Sequence, residues 1–448
     1  MKKFLILIFT FLFLSQGLIF SQQKVWSLEE CIRYAIDNNI QIKQQSIQTK
    51  VQNNSLDLAR MKLVPTLNGQ GSHDYSFGRA LDQNTYQFYN QTLQSDYFYL
   101  GGSVPVFNGL QNYNTIQKNK YLVLASEQDL QDISDNVALN VALVYLQILL
   151  NKELVAANEN QLNITLQQIE KTKKLVDAGS VAKGNLLQIE AQAAQEELSL
   201  INTQNQLETS YLNLTQLLEL KTPGGFEIEV PEITVDPNSV ITGNIDDIYQ
   251  IAEGNRPEIK SSQMKLTASE YELKIAKGAM SPRLSINYSV NTRYTYISGI
   301  NNESFSTQVK NNRNSGVGLT MSIPILNGWQ VNKNISNSSL SVENSQYALE
   351  GTKKQLYKNI QQAYTDAVAA LKKYNSSLKA VASTEESFRY TEQKFNVGMV
   401  TSVDYNAAKT QLLNSESDRS QAKYEYIFKT KVLDFYKGMP LNLNQIIK

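Results

Sequence analysis

The chain has 448 residues, with 42 Lys plus Arg against 42 Asp plus Glu and a pI near 6.7. Such a balance leaves no basic field to hold nucleic acid or an anionic membrane surface. One cysteine and one histidine exclude a disulfide framework, a zinc cluster and any dyad that needs two histidines.

Taken in order, Lys2 and Lys3 precede an apolar run from Phe4 to Leu14, a polar break at Ser15 and Gln16, and then Leu18, Ile19, Phe20 and Ser21. This predicts an export signal over residues 1–21, cut near Ser21, although Ile19 fits poorly at the third position before the cut. Cys31 lies well past the apolar core, behind Ser27-Leu28-Glu29-Glu30. It lacks the small residues of a lipoprotein signal, so it reads as a buried helical cysteine. No later run of 18 apolar residues occurs, so no helical membrane anchor is expected.

The first repeat is expected over residues 22–218. A helix is predicted from Leu28 to Leu63, opened by Ser27 as cap with Glu30 as its partner and ended by Pro65. The period then changes to two: Leu67, His73, Tyr75 and Phe77 share one parity, and Phe98, Leu100, Val104 and Val106 share another. Strands are predicted at about 66–78 and 96–107. The polar stretch Arg79 to Ser95 reads as a long loop. Asn108-Gly109 stops the second strand, and a helical hairpin follows over 110–218. Its first helix, about 68 residues, spans ~100 Å. Val141, Ile148, Val155, Leu162, Ile169 and Val176 recur every seventh residue, a seam that faces one partner. The chain turns at Ala178-Gly179-Ser180-Val181 and returns from about Asn185, with Leu186, Ala193, Leu200, Leu207 and Leu214 again seven apart.

An irregular linker is expected over 219–245, marked by Pro223, Pro231 and Pro237. The second repeat, 246–437, echoes the first. Ile360, Ala367, Tyr374, Val381, Phe388 and Phe395 stand 219 residues after the first seam, and Ile323-Pro324-Ile325-Leu326-Asn327-Gly328 repeats Val104-Pro105-Val106-Phe107-Asn108-Gly109 at the same offset. Strands are predicted at about 284–297 and 315–326, then a helical hairpin over 328–437 turning at Gly398, and a tail over 438–448.

Each half is therefore helix, strand, strand, long helix, turn, helix, and the fold expected is mainly α with a membrane β-barrel portion. Four strands with one apolar and one polar face cannot span a membrane alone, because a closed barrel needs about eight at least and an open edge in lipid leaves backbone groups unpaired. The strands must close with other protomers; two copies or three would serve, and the pattern does not choose. A soluble β-sandwich edge would leave the ~100 Å helices unexplained. His73 reads as barrel-facing or interfacial, and Arg293 as facing a hydrated lumen. No Gly-rich phosphate loop or nucleophile motif occurs, so neither enzyme chemistry nor a metal or other cofactor is expected. A secreted coiled-coil structural or adhesive protein is the alternative.

Three stretches carry a resemblance: Trp26-Ser27-Leu28-Glu29-Glu30-Cys31-Ile32, the strand ending Val104-Pro105-Val106-Phe107-Asn108-Gly109, and the turn from Phe395 to Asp404. In these the chain resembles the TolC family of outer-membrane efflux channels over essentially its whole mature length. The resemblance implies a homotrimer with a 12-stranded barrel in outer-membrane lipid, continued by an α-helical barrel across the periplasm. It also implies a periplasmic adaptor protein and an inner-membrane pump as partners. Ala178, Gly179, Ser180 and Val181, with Val397, Gly398, Met399, Val400 and Thr401, would then form the tip that docks the adaptor. Asp404 would sit at the periplasmic aperture, where the family has a second aspartate at the position of Ala407 and a tip arginine at Val400. One ring of carboxylates in place of two implies weaker cation binding. Alternatively Asp404 serves the positive end of its helix, worth ~0.3–1 kcal/mol. Asn185 is its uncharged counterpart in the first half. Ala191, Ala193, Ala194, Ala407 and Ala408 suggest helices able to slide.

Overall fold

A computed structural model describes residues 25–81, 86–221, 225–231 and 233–441; the expected export signal lies outside them. Each repeat opens with a broken helix. In the first, α1 (Leu28–Asn38) and α2 (Ile40–Met61) replace the single helix expected over 28–63. Asn39, at φ −59° and ψ 133°, leaves the helical region. Its side chain accepts from Gln41 N at 2.9 Å and donates to Leu217 O at 3.1 Å, so local hydrogen bonds compete with the helix. In the second repeat the break falls at Arg256, between α5 (Ile245–Asn255) and α6 (Pro257–Gly278). There Pro257 pushes its predecessor out of the α region and itself suits the first helical position.

The strands are β2 (Asn68–Leu81), β3 (Phe88–Asn108), β5 (Arg283–Ile297) and β6 (Asn314–Ser322), and they form one antiparallel sheet in the order β2-β3-β5-β6. The predicted long loop at Arg79–Ser95 is mostly strand. β2 and β3 stay in register from Asn68 opposite Gly101 to Leu81 opposite Phe88. Polar residues Gln94, Ser95 and Asp96 obscure the alternation, but β5 pairs with them on the other side, and backbone pairing does not depend on side-chain type. The fourth strand ends at Ser322, short of 326, ahead of Pro324, which has no N–H to give a ladder. A short helix, α7 (Phe305–Asn311), lies inside the predicted polar loop, capped by the Ser304 hydroxyl. Its Phe305 ring meets Tyr294 edge-on at 5.1 Å.

The long helices are α3 (Gln111–Asp177) and α8 (Gln330–Asn396), each 67 residues; α4 (Lys183–Leu217) and α9 (Ser402–Tyr436), each 35, return from their turns. The helix boundaries agree with the periodicity to within about two residues, as such boundaries generally do.

The chain forms two compact units. One comprises residues 46–129 and 257–353 and holds the sheet with α6, most of α2 and the adjoining parts of α3 and α8. Within it Thr49 and Ser126 hydroxyls bond at 2.9 Å, and Lys118 pairs with Glu272 at 2.6 Å. The other comprises 25–45, 130–256 and the segment from 354. Its core gathers Cys31, Ala35, Val141, Tyr145, Ile148, Leu149, Leu214, Leu218 and Ile427. A parallel pair of two-residue strands, β1 (Val25–Trp26) and β4 (Glu227–Ile228), lies against this core. Tyr145 hydroxyl joins the two by donating to Glu229 O at 2.8 Å and approaching Trp26 O at 3.3 Å. Ser27 and Glu30 form the expected capping box, and Cys31 is fully buried.

Although no unbroken apolar run occurs, α3 contains an 18-residue window apolar enough to cross a membrane by length and composition, and 56% of it is buried in the protein. The core residues from Val137 to Leu150 account for it.

Candidate functional site

The two helix turns share one backbone device. At the first, Gly179 N bonds Val176 O and Ser180 N bonds Leu175 O, both at 2.9 Å; at the second, Gly398 N bonds Phe395 O at 3.0 Å and Met399 N bonds Lys394 O at 2.8 Å. This is the Schellman arrangement, which requires a left-handed residue, and Gly179 and Gly398 have φ of 71° and 78°.

The helices that leave these turns start differently. α4 follows Ala182, which offers no side-chain cap. α9 follows Thr401, whose hydroxyl accepts from Asp404 N at 3.2 Å while Asp404 Oδ2 accepts from Thr401 N at 3.1 Å. Asp404 therefore completes a capping box. It is exposed, and the Thr401 hydroxyl, followed by the Thr401 N–H, holds its carboxyl below the usual range. Ala407 is exposed one turn on, and Val400 is half-buried.

Around the second turn Val397 and Met399 are 71% and 73% exposed, so this apolar tip has no cover among the described residues. Ala178, Ser180 and Thr401 are exposed and Val181 half-buried. Two hydrogen bonds tie the hairpins near their tips: Lys171 Nζ to Asn396 Oδ1 at 3.2 Å, and Ser402 Oγ to Gln188 Oε1 at 2.9 Å. Tyr405 is buried under Phe395 and Phe388, with ring centroids at 4.7 and 5.4 Å. Of the five alanines suggested to let helices slide, Ala193 alone is buried.

Sequence reading missed what fills the first hairpin. Its apolar seam is fully buried at Val141 and Ile148 but half-exposed from Val155 to Val176. The positions buried there are polar: Asn151, Asn158, Thr165 and Thr172, each seven after the last. On α4 the first three meet Ser210, Thr203 and Glu196, also seven apart. Asn151 donates to Ser210 Oγ at 2.8 Å, Asn158 approaches Thr203 Oγ1 at 3.5 Å, and Thr165 bonds Glu196. The seven-residue spacing of these polar residues was the available signal.

At the Thr165 rung α9 contributes Lys409, 4% exposed. Its ammonium donates to Thr165 Oγ1 at 2.5 Å and to Gln161 O at 3.1 Å, and lies 3.7 Å from Glu196 Oε1. Gln161 and Gln192 also donate to Glu196, at 3.2 and 3.0 Å. Burial pulls the Lys409 pKa down, and Glu196 opposes it.

In the sheet, the Asp96 carboxylate on β3 pairs with the His73 ring on β2, and Arg293 lies 5.9 Å over the Tyr97 ring. Among the described residues no three His, Cys, Asp or Glu side chains could hold a metal ion.

The model of the family described as "Outer membrane efflux protein" matches residues 31–219 and 248–434, one stretch in each repeat. Comparison with curated proteins finds no match. Among solved structures, a crystal structure of CusC is similar at a TM-score of 0.78 and 17% identity, covering 92% of both chains. The outer membrane protein VceC of Vibrio cholerae is similar at 0.77 and 16%, covering 92% of this chain and 96% of that one. The open state of the Neisseria gonorrhoeae MtrE outer membrane channel is similar at 0.71 and 15%, covering 92% and 88%. These likenesses extend through both repeats, and with the family match they account for the doubled helix-strand-strand-helix-turn-helix plan: the chain belongs to the outer membrane efflux protein family and is an outer-membrane efflux channel, not an enzyme.

Proposed function

We propose that the chain is the channel-tunnel of a tripartite efflux or type I secretion system. As a homotrimer it would close a 12-stranded barrel in the outer membrane, continued by an α-helical barrel, and carry out substrates driven by an inner-membrane pump. The observation that carries this is the four-stranded sheet, whose outer strands β2 and β6 each have one edge unpaired among the described residues. In lipid such edges cost several kcal/mol per unpaired group, and neighbouring copies that pair β6 with β2 remove them all.

In this reading the tip residues Ala178, Gly179, Ser180, Val181, Val397, Gly398, Met399, Val400 and Thr401 dock a periplasmic adaptor. The exposed Val397 and Met399 support it, since apolar side chains without cover favour a partner. Asp404 and Ala407 line the aperture. Capping does not remove Asp404 from that role, because one carboxylate can accept several hydrogen bonds and this one is exposed.

The test is conductance of the purified oligomer in a planar bilayer, with divalent cations added on the helical side. Discrete steps blocked by the cations, with the block lost in Asp404→Ala, are expected. A folded oligomer that shows no steps, even after Asp404→Ala or a substitution at Val400, would instead point to a secreted structural protein.

A further inference from the structure

We propose that Lys409, Glu196 and Thr165 form a fixed pivot, which confines movement of α9 against the first hairpin to the segment between this node and the tips. The proposal rests on the channel reading, in which the tips must part to let substrate through.

The node joins three helices. Lys409 on α9 uses its ammonium on Thr165 and the Gln161 carbonyl of α3 and on Glu196 of α4. Glu196 in turn accepts from Gln161, Gln192 and Thr165. All three residues of the node are less than 9% exposed. Pulling α9 away would take the Lys409 ammonium from all three of its acceptors and leave the Glu196 carboxylate with neutral donors and no counter-charge, and separating the partners of a buried ion pair is costly.

The ties nearer the tips are of another kind. Lys171 with Asn396 joins two exposed side chains, and Ser402, itself buried, bonds the exposed Gln188 through two neutral groups, so neither tie holds a buried charge and each is cheaper to break than the node. They lie six to eight residues from the node along their helices, about 10 Å. Beyond the node, Ser420 bonds Glu153 at 2.6 Å and Lys423 lies 3.7 Å from the same carboxylate. Weak ties on one side and a buried charged node on the other divide the hairpins into a part that can open and a part that cannot.

Hydrogen exchange on the intact oligomer tests this. In the wild type, amides of residues 172–177, 183–190 and 402–408 should exchange about tenfold faster than those beyond the node, with a sharp boundary near Thr165, Glu196 and Lys409. Lys409→Met combined with Glu196→Gln removes both charges together and should carry the fast zone out to the level of Glu153 and Ser420. A gradual decline in the wild type, or a boundary unmoved in the double variant, overturns the pivot. Should the double variant not assemble, Thr165→Val removes the bridging hydroxyl alone and gives the same comparison.

Disulfide crosslinks add a functional arm, and buried Cys31 does not interfere. Lys171→Cys with Asn396→Cys should abolish conductance, whereas Glu153→Cys with Ser420→Cys should leave it unchanged. Equal loss from both pairs refutes the pivot. Absence of conductance in the uncrosslinked protein, persisting after Asp404→Ala or a substitution at Val400, refutes the channel reading instead, and exchange still judges the node.

Discussion

Glu219 and Gly438 stand 219 residues apart at the same place in the two repeats, and both take a left-handed backbone, with φ of 57° and 77°. Each follows the last turn of a returning helix and closes it with the same pair of hydrogen bonds, Leu220 N to Thr215 O and Met439 N to Asp434 O both at 2.9 Å. A side chain in that conformation costs ~1–2 kcal/mol, offset in part by the greater freedom of glycine in the unfolded chain. The Glu219 carboxylate accepts from Ile40 N at 3.3 Å in an exposed position, a small return. Glu219→Gly is therefore expected to stabilise the protein by about 0.5–1 kcal/mol and Gly438→Glu to destabilise it by about 1 kcal/mol, measured as denaturant unfolding of the detergent-solubilised oligomer.

The cap of α9 should depend on pH. Asp404 has a folded pKa below its ordinary value of 3.8, so the stability it adds is present above that value and is lost as pH falls through the lower, folded value. Exchange protection of the first turn of α9, corrected for intrinsic rates, should hold from neutral pH down to about 4 and fall below it. In Asp404→Asn the protection should be weaker at neutral pH, with no further loss on acidification.

The polar rungs of the first hairpin should be coupled in pairs. Asn151→Ala leaves the Ser210 hydroxyl without its cross-helix donor and opens space beside it, for a loss of about 1–3 kcal/mol. Asn151→Leu with Ser210→Ala removes both partners and refills the space. Its loss should be smaller than the sum of the losses of Asn151→Leu and Ser210→Ala made singly, by at least ~0.5 kcal/mol. Additive losses in a double-mutant cycle would show that the rung carries no pairwise energy.

Tyr145 should behave as a structural hydroxyl. Burial, reinforced by nearby groups, pushes its phenol well above the ordinary range, so it should stay protonated in an alkaline titration that ionises exposed tyrosines. Tyr145→Phe should cost about 1–2 kcal/mol by withdrawing the donor to the Glu229 carbonyl, and should raise the exchange of the β1–β4 pair selectively.

The repeat, the order of its elements, the sheet with its alternating strands and the glycine turns were all legible in the residues. Each is written in local chemistry: a heptad period, a period of two, a proline, a glycine with positive φ. The Asn-Gly turns went further than expected. Gly109-Leu110 and Gly328-Trp329 both take two successive positive φ values, so the repeat extends to individual torsions. The broken helix at Arg256 could have been read from Pro257; its counterpart at Asn39 could not, because there the side chain makes the break through a bond to Leu217, remote in sequence.

What the sequence by itself determined is therefore the doubled plan and the presence of a sheet that one chain leaves with open edges, since periodicity and turn chemistry act within a few residues. Only the tertiary structure decided where the polar residues go. Thr165, Glu196 and Lys409 each sit on a different helix, and each alone reads as a solvated surface residue. They become a buried node because three helices bring a hydroxyl, a carboxylate and an ammonium to one point, and a buried charge is tolerated only where partners from other elements satisfy it.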